Sequence, residues 1–130
     1  MTWRELYENA LKFRNYKEYT NLLSAGQVSA AIETDKGNVY YGVCVDTASG
    51  LGVCGERNAI FNMLTHGENK IKKVVAIDSN GEVGSPCGAC RELMMQLDKD
   101  SGEIEILIDL ETEKTVKLKD IFPDWWGDIK

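Results

Sequence analysis

The sequence predicts an α/β fold: a mixed sheet of about five strands packed between helices in three layers. Three observations carry that expectation. Amphipathic helical stretches alternate with short β-branched runs through the second half of the chain. An early pair of strand-like runs brackets a turn-forming segment. The 130 residues, 43% of them apolar, suffice for one core, and no repeat, linker or change of composition divides residues 1–130 into more than a single domain.

Residues 2–19 read as the first helix. Leu6, Ala10, Leu11 and Phe13 fall near helical spacing, with Arg4, Glu5, Glu8, Lys12 and Arg14 around them. Residues 21–26 read as a loop. Residues 28–32 and 39–45 then read as a hairpin turned by Thr34-Asp35-Lys36-Gly37-Asn38. After a loop at 47–52, a helix opens at Gly52-Val53-Cys54 and runs to about His66, where Gly67 stops it and His66 serves the C-terminal end. Its stripe of Glu56, Ile60, Met63 and Leu64 sets a carboxylate among apolar residues. Packing alone penalises that placement, so it favours a chemical role.

Residues 71–77 form a short apolar run suited to a strand covered on both faces. After a polar loop at 78–85, Ser85 reads as an N-cap and Pro86 as the first residue of a helix reaching about Leu97. Cys90, Leu93, Met94 and Leu97 are its apolar stripe, and Arg91 and Glu92 read as surface or interface charges. Strands follow at 104–108 and 115–118. Helix, strand, helix, strand implies a parallel pair joined by a right-handed crossover, and the opening hairpin makes the sheet mixed.

Composition narrows the function. The net charge of −6, spread without blocks, gives no counterion-release attraction for phosphate backbones, so a small neutral or cationic substrate is expected and a nucleic-acid polymer is not. Met1-Thr2-Trp3-Arg4-Glu5 lacks the basic start and apolar run of a signal peptide. No stretch approaches the eighteen or so apolar residues of a membrane span. Four cysteines in such a chain read as thiols for metal or catalysis before disulfides, in a cytoplasmic protein.

The chemistry concentrates in Cys54-Gly55-Glu56-Arg57 and Ser85-Pro86-Cys87-Gly88-Ala89-Cys90-Arg91. Cys87 and Cys90, three apart, share one helical turn and can close on one ion, and Cys54 adds a third thiolate from another segment. The fourth tetrahedral position can then stay open for water, the mark of a catalytic zinc, with Glu56 two residues from a ligand and in reach of that water. Helix N-termini favour the thiolates, and Arg57 can donate to a ligand sulfur, restoring acidity to the water. Two bland alternatives compete. A closed four-cysteine site using Cys44 leaves Glu56 without a task, and a thioredoxin-like redox pair leaves Cys54 unexplained.

These motifs resemble the small zinc-dependent cytidine deaminase family, whose zinc chemistry is a known type. The likeness runs from about Val28 to Pro123. Val28-Ser29-Ala30-Ala31-Ile32 is similar to the family's V-G-A-A-L, and Ile121-Phe122-Pro123 to its L-L-P. The resemblance implies a homotetramer with one Zn²⁺ per subunit and hydrolytic deamination of cytidine or deoxycytidine in pyrimidine salvage. Water activated by the zinc attacks C4, Glu56 relays protons to N3 and the leaving amine, and the backbone around Gly55 and Ser85 meets the ring's polar edge.

Other positions depart from the pattern. The family's sugar-binding Asn and Glu fall on Cys44 and Asp46, and the aromatic of its F-x-V segment falls on Gly26. Asp46 can still accept a hydroxyl, whereas Cys44 cannot replace an amide. Blasticidin S deaminases share the fold and metal set, and their S-A-A segment resembles Ser29-Ala30-Ala31, so that substrate class is the alternative. A non-catalytic structural-zinc assembly module is a further one. Trp126 falls where the family has a base-covering Phe, often from a neighbouring subunit, so Trp125 and Trp126 are candidates for a stacking lid or for subunit packing.

Overall fold

The computed structural model describes residues 1–129. A six-stranded mixed sheet forms the middle layer. Its strands are β1 (Lys17–Thr20), β2 (Leu23–Thr34), β3 (Val39–Thr47), β4 (Ile71–Ile77), β5 (Glu105–Asp109) and β6 (Lys114–Lys117). The helices are α1 (Trp3–Leu11), α2 (Gly55–Thr65) and α3 (Gly88–Leu97). β2 is the hub: β3 runs antiparallel along it, while β1 and β4 pair with its first and second halves. β4 and β5 are the expected parallel pair, and β6 returns antiparallel on β5.

Alternation along the strands builds two cores. Tyr40, Ile32, Val74, Ile106 and Val116 stand in one cross-strand row and pack toward Ala59, Ile60 and Met63 of α2 and Cys90 and Met94 of α3. One residue along, Ala31, Val75 and Leu107 turn to the opposite face, against Trp3, Leu6 and Ala10 of α1. Each fully buried Val, Leu, Ile or Met side chain in these cores contributes about 1.5–3 kcal/mol. The three-layer arrangement is therefore α1, sheet, then α2 with α3.

Three expectations need correction. The first helix ends at Leu11 rather than near Tyr19, and 17–20 forms β1, a strand beyond the five expected. A capping box between Thr2 and Glu5 starts α1. Leu11 and Phe13, expected on its buried stripe, are exposed. The loop expected at residues 21–26 shrinks to the turn at 21–22, with 23–26 in β2: Thr20 Oγ1 accepts from Leu22 N and Leu23 N, closing a tight hairpin whose return strand is β2. Finally, both later helices begin further on than the sequence indicates. Val53 bridges Val45 instead of starting a helix, and α3 is capped at Cys87 rather than Ser85.

Candidate active site

Cys54 and Cys87 each occupy the N-cap of their helix in extended backbone, φ −73° and ψ 156° for one, φ −68° and ψ 169° for the other. Neither side chain makes a capping hydrogen bond, which leaves both sulfurs for another task. Cys90, one turn into α3, is buried beside them. Cys87 Sγ lies 3.4 Å from both Cys54 Sγ and Cys90 Sγ. All three sulfurs fall within 4.8 Å of one another, and Cys44 stands outside the group. Sulfurs on tetrahedral zinc at about 2.3 Å are about 3.8 Å apart, so the donor set fits that ion.

The electrostatics fit as well. Burial opposes ionisation of Cys87, yet the Cys90 backbone N–H, the Cys90 thiol and the Cys54 thiol outweigh it and draw its pKa below the ordinary thiol value. Burial, then the nearby Glu56 carboxyl, pushes Cys90 up. A divalent cation ligated by all three sulfurs displaces whatever protons they carry. Arg57 Nη2 donates to Cys54 Sγ at 3.5 Å, and this hydrogen bond raises the guanidinium's own pKa. Arg57 Nε is buried without a partner among the described residues.

Glu56, in the first turn of α2, is 5% exposed. Burial raises its pKa above the usual carboxylate value, only partly offset by a backbone N–H and by Arg57. It lines a cavity of about 230 Å³ together with Cys54, Cys87, Gly55, Ser85 and Cys44. Val28, Ala76, Ile77, Asp78 and Gly84 complete the walls. The cavity thus gathers six residues singled out from the sequence, with Cys90 behind them.

Two candidates lie elsewhere. Asp46 is exposed and lines a neighbouring hollow with Glu18 and Thr20, and its Oδ2 is 4.0 Å from Cys44 Sγ. Trp126 is 76% exposed and, like Trp125, donates its indole N–H to Glu92, at 2.8 and 3.0 Å. Cys44 is half-buried, accepting from Val28 N at 3.2 Å. Gly26 has φ +91°, and a Cβ there would meet Asn15 O at 2.3 Å, so no aromatic could take its place.

Arg91 and Glu92 are more than surface charges. Glu92 holds both tryptophans. Arg91 donates from Nε to Pro86 O (2.8 Å), from Nη1 to Ile121 O (2.8 Å) and from Nη2 to Ser85 Oγ (3.2 Å). It thereby anchors the segment entering Cys87 to the chain near the C-terminus. Only the position of Arg91 just after Cys90 could have pointed to it.

A family model described as the cytidine and deoxycytidylate deaminase zinc-binding region matches residues 2–102. The cytidine deaminase of Mycobacterium tuberculosis is 32% identical over 101 residues, 77% of this chain and 72% of the relative. The crystal structure of cytidine deaminase from Mycobacterium tuberculosis superimposes with a TM-score of 0.79 at 28% identity, covering 98% of both chains. That of the Burkholderia pseudomallei cytidine deaminase gives 0.76 at 30% identity, covering 95% of this chain and 98% of its own. With its three-thiol cluster and buried carboxyl on this fold, the chain belongs to the cytidine and deoxycytidylate deaminase family of zinc-dependent enzymes.

Proposed function

We propose that the chain deaminates cytidine or deoxycytidine, releasing ammonia and the uracil-type nucleoside, with Glu56 moving the protons. One observation carries this reading: the buried Glu56 carboxyl shares a cavity wall with Cys54 and Cys87. Zinc held by Cys54, Cys87 and Cys90 supplies the Lewis acid that makes water a nucleophile near neutral pH. Glu56 takes a proton from the water attacking C4 and passes it to N3. It then takes the remaining hydroxyl proton and gives it to the departing amine. The C4–N bond breaks to ammonia while C4 becomes a carbonyl, so both protons of the water are accounted for.

Arg57, donating to Cys54 Sγ, withdraws charge from that ligand and keeps the ion acidic. The backbone around Gly55 and Ser85 faces the ring's polar edge. Cys44, on the cavity wall, and Asp46, two residues along β3 in the neighbouring hollow, take the sugar side, with Asp46 accepting a hydroxyl. Trp126 stacks over the base of a neighbouring subunit in a homotetramer. The reading places the enzyme in cytoplasmic pyrimidine salvage. Its support is the fold and the family.

The test is ammonia release from cytidine, deoxycytidine, free cytosine and blasticidin S. The nucleosides should turn over. Glu56→Gln should lower kcat by about 10²–10⁴ while one zinc per chain is retained. Unchanged turnover in that variant would refute the proton relay. Cys44, standing where an amide would hold a ribose, favours a second reading. Blasticidin S is the substrate if it alone releases ammonia.

A further inference from the structure

We propose that Arg14, with Tyr7, is a positioning residue for substrate binding, bracing from behind the segment whose front forms one wall of the active-site cavity. The proposal rests on the deaminase reading of that cavity. The wall is the stretch after β4, where Asp78, Gly84 and Ser85 line the cavity. No residue of α1 or of the turn after it lines the cavity. Arg14 nevertheless reaches across the sheet end with Nε donating to Asp78 O at 2.7 Å and Nη2 donating to Ser79 O. Tyr7 Oη donates to Gly81 O at 2.7 Å. Three carbonyls of one short loop are thus held by two side chains, Tyr7 on α1 and Arg14 just beyond its C-terminal end.

The loop is built to transmit that hold. Asp78 Oδ1 accepts from Asn80 N and Glu82 N, Asp78 N donates to Glu82 O at 2.7 Å, and Gly84 N donates to Ala76 O at 2.9 Å. A bridge between Ile77 and Val83 closes it into a rigid turn. The brace is itself fixed, because Ser29 Oγ donates to Ala10 O at 2.7 Å and pins the end of α1 to β2. The planar guanidinium suits two successive carbonyls, where an ammonium would satisfy one. The metal side is held separately. Arg91 grips Ser85, Pro86 and Ile121, so loosening the loop behind Asp78 leaves Cys87 and Cys90 anchored.

This division predicts a split in kinetics. Interactions that shape the substrate wall without touching the reacting atoms act on binding, raising KM and sparing kcat. Steady-state turnover of cytidine by the zinc-loaded full chain should show Arg14→Ala raising KM about tenfold with kcat within about twofold and zinc content unchanged. Arg14→Lys should recover part of the KM loss, and Tyr7→Phe should show a smaller rise in the same direction. Amide hydrogen exchange should quicken at residues 78–85 and not at residues 87–97.

An unchanged KM in folded Arg14→Ala overturns the proposal. So does a parallel loss of kcat or zinc, which would make the contact a general prop. If the wild-type chain turns over neither cytidine nor deoxycytidine, the substrate reading fails by itself. Hydrogen exchange then decides the brace: acceleration confined to 78–85 upholds it, and none, or one spread through α2 and α3, overturns it.

Discussion

At the scale of single residues, Cys54 and Cys87 occupy positions that helices prefer to give to Ser, Thr, Asp or Asn, and neither sulfur caps its helix. The chain gives up helix stability there in order to place two thiols beside a third. That exchange can be measured, because serine is nearly the shape of cysteine yet a far better cap and a poor zinc ligand. Cys54→Ser and Cys87→Ser should each stabilise the metal-free protein by about 0.5–1 kcal/mol in thermal or urea unfolding. The same substitutions should abolish stoichiometric zinc retention. Two effects of opposite sign from one substitution separate a ligand from a merely packed thiol. Lower metal-free stability in both variants, or retained zinc, would contradict the account.

Among elements, the approach of α2 to β3 fixes where the site lies. A Cβ on Gly42 of β3 would stand 2.3 Å from Ala59 N and 2.5 Å from Gly55 O, both backbone atoms that cannot rotate away. Gly42→Ala should therefore push α2 off the sheet, costing at least about 1–3 kcal/mol and carrying Cys54 and Glu56 out of line. Loss of zinc affinity together with stability is the expected result, and a stable variant with normal zinc binding would show that α2 tolerates the shift. The short turn before β5 offers a gentler case. Glu103 accepts from Lys117 Nζ at 2.7 Å and Lys119 Nζ at 2.9 Å, which hold its carboxyl at about 2, below its ordinary 4.5. A depressed folded value means the contribution is complete above pH 4.5 and disappears as pH falls through about 2. Because the pair is exposed and screened, Glu103→Gln should lower Tm only slightly at pH 7 and not at all below pH 2. The same contrast explains what the sequence discloses. Alternating or apolar runs such as Ile71–Ile77 announce themselves, whereas β1 is exposed at all four positions and owes its strand to pairing with β2. Ligand thiols and a carboxylate on an apolar stripe are chemically narrow, so Cys54, Glu56, Cys87 and Cys90 are legible. Arg14 and Arg91 look like ordinary solvated cations until the fold brings distant carbonyls to them, Arg14's partner Asp78 lying 64 positions away.

At the scale of the whole molecule, one side chain proposed to meet the substrate lies outside its own subunit's cavity. Trp126 is 76% exposed, held outward by Glu92 on α3 rather than turned toward the cavity that holds Glu56. Large apolar side chains are exposed elsewhere too, among them Leu51, Phe61 and Leu64. Isolated exposed apolar residues are ordinary, but an indole fixed in place while exposed has given up rotamer freedom without gaining burial. A symmetric assembly resolves this if each subunit lends its Trp126 to the cavity of a neighbour. Base stacking on an aromatic is worth about 1–3 kcal/mol, so Trp126→Ala should lower kcat/KM for cytidine about tenfold or more. Glu56→Gln should lower kcat about 10²–10⁴-fold in its own subunit. Unfolding and refolding the two variants together should then restore about one site in four to full competence, since a complete site draws Glu56 from one protomer and Trp126 from the other. Mixed samples that merely average the parent activities would mean each site is built from one chain. A monomer by light scattering would remove the shared lid altogether.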